Sequence, residues 1–130
     1  MLFKIELVTK SRCELIDITP VVEKKLKKSG IDNGLCVIYT PHTTCGITIN
    51  ENADMDVKND MINFLNTKIP VNFQFNHIEG NSDAHLKSSI IGASETLIVE
   101  NGKILLGTWQ GVLFSEFDGP RKRKFFIKFV

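Results

Sequence analysis

Residues 94–109, SETLIVENGKILLGTW, place two β-rich runs on either side of Asn101-Gly102. A two-residue loop that matches the twist of antiparallel strands needs positive φ at both positions, and Asn-Gly adopts it at least cost. The spacing therefore predicts a type I′ hairpin. At the other end of the chain, Leu2 to Thr9 alternates apolar and polar residues as a half-buried strand does, and Cys13 to Ile18 is expected to be a second strand. The last two β-rich runs, QGVLFSEF and KFFIKFV, are expected to pair antiparallel through a turn at Asp118, Gly119 and Pro120. No long alternation of strand and helix supports a parallel doubly wound sheet. The expected class is α+β, a mainly antiparallel sheet system with about three helices.

The helices announce themselves by their ends. Thr19 is expected to be an N-cap with Pro20 in the first turn, and the helix that follows stops at Gly30. Val22 and Leu26 share one side of it and the lysines another, so the lysines are expected to face solvent. Asp54 can cap a second helix reaching about Asn66, in which Val57, Met61 and Leu65 recur every four residues and Phe64 widens the stripe. GNSDAHLKSSIIG carries an Asn/Ser/Asp cluster at its start and a closing glycine, which predicts a short third helix. Phe73, Phe75 and His77, two apart, suggest a strand edge.

At 130 residues the chain has the size of one domain and can bury a core without disulfides or metal. We expect a single domain spanning 1–130. A net charge of +1 gives no general attraction to nucleic acid or to anionic lipid, so any anion must be bound locally. The run RKRK favours RNA, but the near-neutral charge and the single Tyr and Trp do not. Three cysteines without C-x-x-C spacing argue against a disulfide framework, and no signal peptide or membrane span is indicated, so a cytoplasmic protein is expected.

The three histidines are the most informative candidates for chemistry. His42, His77 and His85 each fall at an element boundary, where a side chain can face a cleft without disturbing the core. Three converging neutral imidazoles with a water in the fourth position would form an open zinc site; equally, each can be a surface or hydrogen-bonded residue. Asp54 and Asp83 are better placed for helix capping, which leaves Glu51 and Glu79 as the carboxylates for acid–base work. Free N–H groups at the start of the third helix suit a phosphate, with Gly80, Asn81 and Ser82 there, hydroxyls from Thr43 and Thr44, and a guanidinium from Arg121. Lys122 to Lys124 are expected to be a solvated turn and strand start. Cys45, three residues from His42, is expected to be a packed small residue more than a nucleophile. Trp109 and Gln110 can line a pocket, although a single Trp in a strand is usually core.

Four stretches, YTPHTTCGITINENAD, HIEGNSDAHLKSSIIG, GKILLGTWQGV and EFDGPRKR, stand in an order and spacing that resemble the YjbQ-like proteins over nearly the whole chain. That family comprises small single-domain proteins, some with a secondary thiamine-phosphate synthase activity that joins a pyrimidine pyrophosphate to a thiazole phosphate and releases pyrophosphate. The resemblance implies an antiparallel α+β fold assembled as a homotrimer, a polar site near subunit boundaries, and His42, His77 and His85 as one shared site. Imidazoles suit zinc better than magnesium, which prefers oxygen. Two functions are therefore expected to compete. One is a metal-dependent enzyme, acting through a divalent metal such as zinc on a small phosphorylated substrate, with the thiamine reaction as a side activity. The other is a non-enzymatic trimeric module that binds a phosphorylated metabolite or a protein partner.

Overall fold

The amino-terminal alternation becomes β1 (Leu2–Val8), with Phe3, Ile5 and Leu7 turned inward and their neighbours exposed. The computed structural model describes all 130 residues. After β1 come β2 (Glu14–Asp17), α1 (Thr19–Ser29), β3 (Gly34–Tyr39), β4 (Cys45–Glu51), α2 (Met55–Lys68) and α3 (Ser82–Ile91). The chain closes with β5 (Ser94–Glu100), β6 (Lys103–Ile104), β7 (Gln110–Glu116) and β8 (Lys122–Phe129). The class is α+β with three helices, and every strand pair is antiparallel. One sheet has the order β1-β8-β3-β5-β6 and the other the order β2-β7-β4.

The inner faces of the two sheets meet in one apolar cluster. Cys36, Ile38, Val99, Phe125 and Ile127 come from the larger sheet, Cys45, Ile47, Val112 and Phe114 from the smaller, and Val22 and Leu26 from α1. The Phe114 and Phe125 rings lie 5.8 Å apart across this seam. Burying each such side chain contributes about 1.5–3 kcal/mol, which is what holds the layers together. Asn101 and Gly102 adopt φ of 52° and 72° between Glu100 and Lys103, the backbone of the expected type I′ hairpin. On α1 the lysines stay at the surface while Val22 and Leu26 are buried, and Gly30 ends the helix in the left-handed region.

Four expectations change. QGVLFSEF and KFFIKFV do not pair with each other: β7 lies between β2 and β4, so both its edges are taken, and β8 crosses into the other sheet between β1 and β3. Thr19 does not cap α1. Its N–H is received by Asp17 Oδ1 at 3.0 Å, while its hydroxyl accepts the Val112 N–H at 2.8 Å and ties the helix to β7. Residues 73–77 form no strand, because the Phe75 N–H bonds back to the Phe73 carbonyl at 2.9 Å and the two rings pack together at 5.1 Å, a tight bend incompatible with extension. Phe64 is 62% exposed and adds nothing to the α2 stripe. Asp54 does cap α2, accepting the Asp56 N–H at 2.9 Å.

Candidate functional site

The loop from α2 to α3 brings His77 against His85. Their rings meet edge to face with centroids 5.5 Å apart, and Glu79 Oε2 stands 3.7 Å from His77 Nε2. Phe75, Ser82 and Leu86 join the two imidazoles in lining an open cleft of about 540 Å³. His85 also lines a second cleft of about 450 Å³, whose opposite wall is the β3–β4 turn with Thr40, His42 and Thr43. Gly46 lets α3 lie this close to β4: a Cβ there would come within 2.9 Å of the Gly92 carbonyl and of Ile91 Cγ2. The Ser88 hydroxyl donates to the Cys45 carbonyl from the same helix face.

His42 is placed for a different task. Its Nε2 accepts the Lys124 backbone N–H at 3.0 Å, so in the neutral ring the proton sits on Nδ1. Burial, then the charges of Arg123 and Lys124, push its pKa below the ordinary histidine value. With one lone pair engaged and the other nitrogen protonated, His42 as it stands is a hydrogen-bond donor and not a metal ligand. No three His, Cys, Asp or Glu side chains of the chain gather into a group that could hold a metal. The expected three-histidine set thus reduces to a pair, His77 and His85, with Glu79 beside it. Imidazole is a donor type that suits zinc, and a pair is one short of the three protein ligands of an open zinc site.

The phosphate candidates divide. Gly80 takes φ 76° ahead of α3, and Asn81 and Ser82 begin the helix. Arg121 joins them through Asp118, which receives Arg121 Nη2 and Asn81 Nδ2, each at 2.9 Å, on one oxygen. Thr43 is exposed beside His42, whereas Thr44 is buried and its hydroxyl oxygen accepts from Arg123 Nη2 at 2.8 Å. Glu51 is removed from the histidines altogether. It ends the seven-residue strand that Cys45 begins, roughly 20 Å along the sheet, and its carboxylate accepts the Ala53 N–H at 3.0 Å.

Two buried ionic networks escaped the sequence reading. Asp83, expected as a cap, is fully buried and receives Arg12 at 3.0 and 3.1 Å and Lys87 Nζ at 2.8 Å. Burial alone would raise its pKa, but these hydrogen bonds outweigh that and hold the carboxyl below its ordinary range. Glu116, also fully buried, is gripped by Arg123 at 2.6 and 2.8 Å and accepts the Thr9 hydroxyl at 2.7 Å. Arg123 is therefore not part of a solvated turn. The Cys45 thiol faces the same carboxylate at 3.4 Å, and burial, with the Glu116 charge, drives its pKa far up, which removes it as a nucleophile. Trp109, expected in the core, is 64% exposed at the mouth of β7. The only signal for Glu116 and Asp83 was an acid flanked by basic residues in EFDGPRKR and SDAHLK, which a surface charge pair would share.

The family model for UPF0047, YjbQ-like proteins, matches residues 3–130. The chain belongs to the YjbQ-like family. The UPF0047 protein of Methanocaldococcus jannaschii is 58% identical over 130 residues, covering all of this chain and 94% of that protein. YugU of Bacillus subtilis is 53% identical, covering 100% and 99%. Among solved structures, the YjbQ/UPF0047 protein of Clostridium acetobutylicum superposes with a TM-score of 0.97 at 49% identity, covering 98% of this chain and 99% of that one. A hypothetical protein of Aeropyrum pernix gives 0.96 at 35% identity, covering 100% and 98%. The YjbQ-like fold is thus shared, and no helix of the chain is long and apolar enough to cross a membrane.

Proposed function

We propose that this YjbQ-like protein is a metal-dependent enzyme acting on a small phosphorylated substrate, with the family's thiamine-phosphate synthase reaction as a secondary activity. The observation that carries the reading is the edge-to-face pair of His77 and His85 beside the start of α3. Zinc is the divalent ion best matched to two imidazoles, and when bound it would acidify a water or polarise a phosphoryl oxygen. Glu79, beside His77, is the general base. The first backbone N–H groups of α3, with Ser82 and Arg121, hold the phosphate, and the exposed Thr43 hydroxyl meets the substrate across the second cleft.

The homotrimer implied by the family resemblance has a surface suited to it. Phe73, Ile78, Leu86 and Ile90 are all exposed around the paired histidines, Ile78 at 95%. Exposed apolar groups clustered at a polar site are what a neighbouring copy would cover, and covering them would close the cleft to water.

Zinc measured by mass spectrometry on untagged wild-type protein should be about one ion per chain and should be lost in both His77→Ala and His85→Ala. Pyrophosphate release from the thiamine precursors should fall in Glu79→Gln. Stoichiometric zinc in both histidine variants would remove the metal reading, and a wild-type protein that binds phosphate esters but turns none over would favour the binding module.

A further inference from the structure

His42 lines two clefts. Besides the one it shares with His85, it borders a cleft of about 470 Å³ between β1 and β8, walled by Lys4, Glu6, Lys122 and Lys124. Lys122 and Lys124 are two apart on β8, so they stand on one face of the strand, opposite Val8 and Glu6 of β1. Glu6, the one carboxylate in this wall, is engaged by Lys4 at 3.4 Å. Arg123, between the lysines in sequence, points to the core and is neutralised by Glu116. Neither Lys122 nor Lys124 forms an ion pair. Two uncompensated ammonium groups therefore flank a concave surface that ends at a histidine whose free ring nitrogen is a donor.

We propose that this cleft is a second anion subsite, which takes a phosphate group between the ammonium groups of Lys122 and Lys124 with His42 at its inner edge. Ammonium groups bind phosphate as point charges without demanding one geometry, and a neutral imidazole N–H adds a directed hydrogen bond. The shared histidine links this subsite to the cleft of His85. A substrate spanning both carries two anionic groups, or two phosphorylated reactants lie side by side across His42. As a statement about the substrate this rests on the enzymatic reading above; as a binding site it does not.

Inorganic phosphate titrated into the wild-type protein, followed by amide and histidine-ring NMR signals, tests it. Saturable shifts are expected at Lys122, Lys124 and His42 in the millimolar range. Apparent affinity at those signals should fall about tenfold or more in the Lys122→Gln/Lys124→Gln double variant, the loss of charge-assisted contacts. Lys122 is exposed and Lys124 half-buried, and neither is ion-paired, so the melting temperature should change little. The Lys122 and Lys124 signals should respond unaltered in His85→Ala. Absence of saturable shifts there in the wild type, or equal shifts in the double variant, overturns the subsite. Zinc retained in His77→Ala and His85→Ala would overturn the metal reading and leave the subsite standing.

Discussion

Arg123 closes on Glu116 with two hydrogen bonds, 2.8 Å from Nε and 2.6 Å from Nη2, and both side chains are buried at the junction of the two sheets. Each charge depends on the other, with Thr9 bonding Glu116 and Thr44 bonding Arg123 in support. Removing one partner strands the remaining charge in a low-dielectric site, so Arg123→Ala should lower stability by about 3–5 kcal/mol. Lys122→Ala, one residue away but exposed, should stay within about 0.5 kcal/mol. Urea denaturation of the two variants separates these outcomes.

Acid should unfold the protein through both buried networks. Glu116 and Asp83 are held below their ordinary values, although burial alone would raise both, because Arg123 and Thr9 bond the first and Arg12 and Lys87 the second. A lowered folded-state pKa contributes stability that is complete above the unfolded value and is lost as pH falls through the folded one. The urea midpoint should therefore hold steady above pH 5 and drop as pH descends below about 4. In Glu116→Gln the acid limb should be shallower and the neutral-pH midpoint lower.

His42 should titrate below the ordinary histidine value. Protonating Nε2 would break the bond from the Lys124 N–H and add charge next to Arg123 and Lys124. The stability this bond contributes is present above the unfolded pKa and lost as pH falls through the depressed folded one. Nitrogen-detected NMR should show the Nδ1–H tautomer at pH 7 and a midpoint below 6.5. A midpoint at or above that value would contradict the burial of the ring beside Arg123 and Lys124.

Gly46→Ala tests the seating of α3. Its new methyl would press on Gly92 and Ile91, and overpacking of this kind costs about 1–3 kcal/mol. Because His85 rides on α3, the spacing of its ring from His42 should change as well. The expected result is a lower melting temperature together with altered His85 ring shifts, whereas stability lost with unchanged ring shifts would separate α3 seating from the site.

Trp109→Ala should behave as a surface change, within about 0.5 kcal/mol of wild type by urea denaturation. A loss of several kcal/mol would mean that the indole is buried in the native protein.

Legibility followed range. The Asn101-Gly102 turn, the alternation of β1 and the Asp54 cap were readable because each depends on residues within a turn or a strand's length of one another. The histidines could be picked out as boundary residues, but only the tertiary path decides that His77 and His85 touch while His42 shares a cleft with His85 alone. Sequence proximity misled in opposite directions: Glu51 follows His42 closely yet ends the strand away from it, and Arg121 is remote yet reaches Asn81 through Asp118.

What the sequence determined by itself is the α+β class, its hairpin, the Asp54 cap and the Gly30 helix stop, and its kinship with YjbQ-like proteins, since these rest on local backbone preferences and on motifs in register. The tertiary structure alone decided that β7 and β8 part into different sheets, that Asp83, Lys87, Glu116 and Arg123 are buried, and that His42 is a donor. A charge is legible as exposed or buried only once its partners are known, and here they lie as far as 71 residues away, Arg12 from Asp83, and 107, Thr9 from Glu116.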